Sequence, residues 1–279
     1  MVNRKELDPE KSPGAKFGQR LRQLRDGRGW TQDELGARMG CTGTHISAVE
    51  TGRRPPTRRF AASADRVFGT GDGLERQSRA VRYTALLEGF PEYVRHEARA
   101  AEMRLYEVGV IPGLLQTPEY AATLEADAVR REAITPEQAS ERVALVAERQ
   151  ATLARSPSPL IFAVLDEECI LRPMGDPEIM DAQFAQFAQL LEFAELPNTT
   201  LQIAPFRMGA RRPFSLPITV LTLPDRSLMS YAESSQRGHL ERETSFVLPI
   251  LTACHQLQAE ALSQAASVAL IEQVRKGTP

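Results

Sequence analysis

The sequence predicts two unlike parts: an all-α N-terminal domain built on two short helices joined by a tight turn, then an α+β domain with a small antiparallel sheet. Three observations predict it. Residues 30–56 carry apolar positions at helical spacing between two capping signals, with a basic tail behind them. From Pro91 onward Ala-, Glu- and Leu-rich helical stretches alternate with short apolar runs. The last two of those runs flank Pro224-Asp225-Arg226-Ser227, a hairpin turn.

Residues 1–15 are polar, balanced in charge and contain Pro9 and Pro13, which predicts a flexible arm. A domain over 16–72 follows. Residues 16–28 form an amphipathic helix with Phe17, Leu21 and Leu24 inward and Arg20, Arg22, Arg25 and Arg28 spread around it. Thr31 caps the next helix, and Glu34 completes a capping box. Gly40 ends that helix because a left-handed or tight backbone costs glycine least. Thr42 then caps a helix over 43–51. Leu35, Met39, Ile46 and Val49 pack the pair together, with Cys41 inward, while Gly43, Thr44, Ser47 and Ala48 fall on the outer face.

Such a helix suits the major groove, where hydroxyls meet base edges and methyl groups meet thymine. Arg53 and Arg54 follow where phosphates would lie. Pro55-Pro56 stiffens the chain, and 57–67 closes the small core as a fourth helix. Three glycines within 68–73 end the module, and a connector helix fills 73–90. No Lys-Ser or Lys-Thr follows these glycines, which argues against a nucleotide loop.

The 91–279 part reads as helices over 93–105, from Thr117-Pro118-Glu119, and over 136–155, 176–196, 241–257 and 260–275. Strands are expected over 160–165, 200–205, 218–223 and 228–233. On the 176–196 helix Met180, Phe184, Phe187, Leu190, Leu191 and Phe193 make an apolar stripe. Residues 106–115 hold an Ile-Pro-Gly-Leu-Leu turn. Its Ile111, Leu114 and Leu115, with Tyr120, could line a ligand or partner groove; equally, they could fix a turn that docks two helices. Asp166-Glu167-Glu168 and Glu233, Glu241 and Glu243 have no spaced nucleophile or metal ligand beside them, so a helix N-terminal charge cluster and a solvated face are the expectation and catalysis is not.

Composition bounds the function. With 279 residues, 42% of them hydrophobic, the chain can bury more than one core. The net charge of −2 hides an asymmetry: up to Phe60 there are 13 Lys and Arg against 7 Asp and Glu, and beyond it 21 against 29. A basic module attracts phosphates, and an acidic body keeps the rest off DNA. Cys41, Cys169 and Cys254 lie far apart, and His45, His96, His239 and His255 form no HxxxH pair, so neither a disulfide framework, a metal site nor a cofactor is expected. No apolar run reaches the about 18 residues that span a membrane, and no hydrophobic signal core opens the chain. A reduced, cytoplasmic, nucleoid-associated protein is the expectation.

The stretch from Phe17 to about Phe60 resembles the helix-turn-helix of the Cro and phage-repressor (xenobiotic-response-element) family. The resemblance rests on Phe17, Leu21, Leu24 and Arg25, on Thr31-Gln32, on Ile46-Ser47 and Glu50, and on Gly52-Arg53-Arg54-Pro55-Pro56. It implies a phosphate contact at Gln32 and base reading at Gly43, Thr44, Ser47 and Ala48. With Thr42, His45, Arg53 and Arg54, these are the candidate DNA-contacting residues. Gly43 and Ala48 depart from relatives that place long or basic side chains there. Glu50 is expected to pair with an arginine such as Arg25.

From Pro91 to Val274 the chain resembles the C-terminal domain of actinobacterial regulators. Glu97-Ala98, the run from Ile111 to Tyr120, Arg149-Gln150, Leu165-Asp166-Glu167, Arg172-Pro173, Gly175, Met180, Gln183, Leu201-Gln202 and Pro205 carry that likeness. It implies a regulator whose C-terminal half senses an unknown effector or binds a small acidic partner protein. The leading expectation is a sequence-specific regulator acting on double-stranded DNA as a homodimer, because one short reader helix contacts few bases. The alternative is an antitoxin-like interaction module with autoregulatory DNA binding.

Overall fold

The structure, a computed structural model, describes residues 12–83, 89–192, 198–234 and 237–277, and the chain divides into two compact units between Leu86 and Leu87. Residues 1–11 and 84–88, Phe193 and the side chains of Leu190 and Leu191, on which parts of the expected arm, connector and apolar stripe fall, lie outside the described residues.

The N-terminal unit is all helical: α1 (Pro13–Gly27), α2 (Gln32–Met39), α3 (Gly43–Glu50), α4 (Arg58–Phe68) and α5 (Gly73–Tyr83). α1 starts earlier than the expected arm allows. Ser12 accepts the Ala15 N–H at 3.1 Å and Pro13 occupies the first turn, a cap followed by a residue with helical φ already set. α5 is no mere connector either, since Leu74 and Val81 sit in the same core as Phe17, Leu21, Leu35, Ile46, Val49, Phe60 and Phe68. The buried Asp65 holds it there. One carboxylate oxygen accepts the Leu74 N–H at 2.9 Å and the other the Glu75 N–H at 2.8 Å, so the end of α4 caps the start of α5 across the glycine-rich loop.

The C-terminal unit is α+β. Its elements are α6 (Phe90–Glu97), β1 (Glu102–Glu107), α7 (Pro118–Arg130), α8 (Pro136–Ala151), β2 (Leu160–Asp166), α9 (Glu168–Leu171), α10 (Pro177–Glu192), β3 (Thr199–Ala204), β4 (Ile218–Thr222), β5 (Leu228–Glu233), β6 (Gly238–Glu241), α11 (Thr244–Glu260) and α12 (Gln264–Arg275). They surround a six-stranded sheet ordered β3-β2-β1-β4-β5-β6. It is larger than expected and mixed: β1, β2 and β3 run parallel, and only β4, β5 and β6 join antiparallel.

The source of that error is β1, expected as the end of a helix over 93–105. Glu-Met-Arg-Leu-Tyr-Glu alternates as a strand should, but the alanines before it read as helix. Pairing with β2 on one side and β4 on the other decides the matter, since two ladders outweigh a weak local preference. The short polar β6 escaped the sequence reading altogether.

One sheet face carries Met103, Leu105, Ile161, Ala163, Leu201, Leu221 and Tyr231 in the main core, with Tyr93, Leu115, Phe184 and Ile271 from the covering segments. The other face meets α11 through Val247, Cys254 and Leu257. Among the described residues no helix is long and apolar enough to cross a membrane.

Candidate nucleic-acid interface

The α2–turn–α3 geometry follows from local chemistry. Thr31 and Glu34 form the capping box, with the Glu34 N–H donating to Thr31 Oγ1 at 3.2 Å and the Thr31 N–H to Glu34 Oε2 at 2.7 Å. That arrangement holds the Glu34 carboxyl below its usual range. Gly40 ends α2 at φ 70°, and Thr42 Oγ1 accepts the His45 N–H at 3.2 Å to start α3. The two helices approach until only glycine fits between them. A Cβ on Gly36 would lie 2.7 Å from the Cys41 carbonyl oxygen and 2.9 Å from Gly43 N. Gly36→Ala should therefore destabilise the N-terminal unit by about 1–3 kcal/mol, read as a lower denaturant midpoint, because rigid backbone must move to admit the methyl group.

Glu50, fully buried at the end of α3, ties three helices together. Arg25 of α1 reaches it with a fork, Nε to Oε1 at 2.6 Å and Nη2 to Oε2 at 3.0 Å, and Arg22 adds an ion pair at 3.5 Å. Gln32 Nε2 donates to Oε2 at 2.9 Å, while Arg25 Nη1 also donates to the Trp30 carbonyl at 2.8 Å. The Arg25–Glu50 pair is the one expected from sequence. The Glu50 hydrogen bond raises the Arg25 pKa further.

This frame orients α3. Ile46, Val49 and Glu50 are buried, Thr42 and Thr44 are exposed, Ser47 and Ala48 are half-buried, and Arg53 and Arg54 are exposed. The Arg53 and Arg54 amides donate to the Ala48 carbonyl at 2.9 and 3.1 Å, so the basic tail is fixed to the helix end, and Arg53 Nε donates to Thr51 Oγ1 at 3.0 Å.

Two candidates stand elsewhere than expected. Gly43 is buried and does not face outward, because the close packing of α2 on α3 leaves its missing side chain pointing at Asp33. His45 is half-buried and its ring lies 5.1 Å from that of Phe60, with Nε2 unpartnered among the described residues. Burial, then the charge of Arg54, lowers its pKa, which keeps the ring neutral near pH 7. The Gln32 amide is engaged by Glu50, a partner the sequence reading did not supply. The clue available was that Glu50, at the end of the inward stripe, must satisfy two oxygens without water.

In the C-terminal unit Ile111, Leu114, Leu115 and Tyr120 are all buried. They do not line an open groove. Tyr120 Oη accepts the Ile111 N–H at 3.2 Å, Gln116 Nε2 donates to the Ile111 carbonyl at 2.7 Å, and Gln183 joins Leu115 and Thr117 at 2.7 and 2.8 Å. Gln150 Nε2 donates to the Gly113 and Gln116 carbonyls, both at 2.8 Å. Of the two readings, the fixed turn is the one observed. Asp166 serves as the expected charge at a helix N-terminus, accepting the N–H of Glu168 at the start of α9 at 3.1 Å, but it is buried rather than solvated and pairs with Arg212.

A family model described as a helix-turn-helix domain matches residues 16–78, and another described as a domain of unknown function (DUF5753) matches residues 90–273. No curated protein and no solved structure matches the chain. The first match runs from within α1 through α2, α3 and α4 into α5, and the second takes in the whole sheet and its covering helices up to the last turn of α12. The chain thus belongs to the family defined by the DUF5753 domain, and joins that domain to an N-terminal helix-turn-helix domain.

Proposed function

We propose that this protein is a sequence-specific transcriptional regulator of the Cro and phage-repressor kind, binding double-stranded DNA as a homodimer and regulated through its C-terminal unit by an effector or a small partner protein. The observation that carries this reading is α3: buried on one side and locked by Glu50, it leaves Thr44 and part of Ser47 and Ala48 to solvent, with two exposed arginines fixed to its end.

Thr44 and Ser47 would address base edges, with Ala48 against thymine methyl groups. Arg53 and Arg54 would hold the phosphates. Thr42 would remain a cap at the groove edge. Gln32 would offer its main-chain N–H at the first turn of α2, its side chain being committed to Glu50. Gly43 and His45 would shape the helix without reading bases. Two copies would place half-sites about 10 base pairs apart. The protein would act in the cytoplasm, on the nucleoid, and no catalytic step is assigned to it.

The test compares two variants across salt concentrations. Arg53→Ala should weaken binding about equally on all duplexes and reduce the slope of log affinity against log salt by about 1, whereas Thr44→Ala should leave that slope unchanged and alter sequence preference. An unchanged slope for Arg53→Ala would remove the phosphate assignment.

A further inference from the structure

Beyond the carboxyl ends of the parallel strands β2 and β3 lies an open recess of about 520 Å³. That volume falls within the about 300–1,000 Å³ of small-molecule sites. Glu167, the residue after β2, lines it together with Phe206 and Arg207 from the turn after β3, Leu262 ahead of α12 and Leu270 within α12. Chain segments diverge where parallel strands end, which is why open α/β sheets hold ligands at that edge.

The walls are pinned to the sheet. The Glu167 N–H donates to the Ala204 carbonyl at 3.0 Å and its Oε2 accepts the Phe206 N–H at 2.6 Å, so the segments leaving β2 and β3 are clamped together. On the α12 side the Leu262 N–H donates to the Ile203 carbonyl at 2.9 Å, Gln202 Nε2 to the Leu262 carbonyl at 2.8 Å, and Ser267 Oγ accepts the Ile203 N–H at 2.9 Å. A ligand entering this recess has little main chain left to order.

The lining combines apolar surface with two opposite charges. Phe206 is 55% exposed although Met208, two residues on, is buried, and Leu262 and Leu270 are half-buried at the edge of the main core. Against them stand one acid, Glu167, and one base, Arg207, with Gln273 the other polar side chain. Its neighbour Arg211 pairs with Glu260 at 3.0 Å and Arg212 pairs with Asp166, but Arg207 has no hydrogen bond or ion pair among the described residues. Glu167 holds the N–H of the residue next to Arg207, yet the two charges do not pair, and its Oε1 accepts no hydrogen bond among the described residues. A simple anion would meet Glu167 and a simple cation would meet Arg207; a molecule carrying both charges answers both.

We propose that this recess binds a small zwitterion with an apolar side chain, of the α-amino-acid class, its ammonium group at Glu167 Oε1, its carboxylate at the Arg207 guanidinium and its side chain against Phe206, Leu262 and Leu270. Charge-assisted hydrogen bonds hold both ends, and the guanidinium fork matches a carboxylate with two parallel N–H groups. The inference rests on the effector reading above and gives that effector a chemical class.

The experiment is calorimetric titration of the full chain, at two temperatures, with L-phenylalanine and with two probes that each lack one of its charges, 3-phenylpropanoate and 2-phenylethylammonium. The amino acid should bind more than about tenfold tighter than either. Arg207→Gln, at an exposed position, should fold, weaken L-phenylalanine more than about tenfold and erase its advantage over 2-phenylethylammonium. Glu167→Gln, whose amide oxygen still accepts the Phe206 N–H, should erase the advantage over 3-phenylpropanoate. No heat from L-phenylalanine up to about 10 mM at either temperature, binding of a singly charged probe as tight as that of the amino acid, or undiminished binding by both variants would overturn the proposal. Duplex binding measured on the same samples separates the two readings: amino-acid binding without any DNA binding sinks the regulator and leaves the site, and the reverse sinks the site alone.

Discussion

Glu50→Ala should cost the N-terminal unit about 3–5 kcal/mol and abolish duplex binding at any salt concentration. The cost arises from what is left behind. Glu50 is fully buried and answers Arg25, Arg22 and Gln32 at once; without it the Arg25 guanidinium, itself only 8% exposed, stays buried with Asp26 and the Trp30 carbonyl as its remaining partners. Because those partners come from α1 and α2, all three helices lose their common tie. Urea titration followed by the fluorescence of Trp30, the only tryptophan, reads this unit alone. The double change Arg25→Met with Glu50→Leu should recover much of the loss, since paired apolar groups of similar size leave no unpaired charge. A single Glu50→Ala variant with unaltered midpoint and duplex affinity would refute the account.

The second large effect is expected in the other unit. Glu97 is buried and takes a two-point fork from Arg149 of α8, and Tyr93 Oη donates to its Oε1 at 2.5 Å. Glu97→Ala strands a guanidinium between Phe90 and Tyr93, over whose rings it lies at 5.3 and 6.0 Å. A loss of about 3–5 kcal/mol is expected. It should appear in far-ultraviolet circular dichroism as an earlier melting phase, with the Trp30 transition unmoved. Full burial of Glu97, with Arg149 only 13% exposed, is the reason to expect a large effect here and a small one at exposed pairs such as Arg76–Asp72, where water already solvates each charge.

The N-terminal unit was legible because its signals are local. The Thr31-Glu34 box, Gly40 and the Thr42 cap all act within four residues, and each is found as read. The inward stripe of Leu35, Ile46 and Val49 follows from helical spacing, and so did the pairing of Glu50 with Arg25. What failed there was the direction of Gly43, because helical periodicity does not say how closely a neighbouring helix approaches. In the C-terminal unit the hairpin of β4 and β5 was readable from its turn, but β1 was not. Its identity depends on β2 and β4, which lie more than fifty residues further along the chain.

Taken alone, the order of residues determined a basic helical module with a capped pair of helices, an acidic α+β body behind it, and the apolar stripes that fill both cores. Spatial assembly decided the parallel half of the sheet, the commitment of Gln32 to Glu50, the burial of Gly43, and the fork from Arg149 to Glu97, more than fifty residues apart on the chain. The physical reason is range: caps, turns and periodicity are settled by neighbours in sequence, whereas strand pairing and the satisfaction of buried charge depend on partners that only folding brings within a few ångströms.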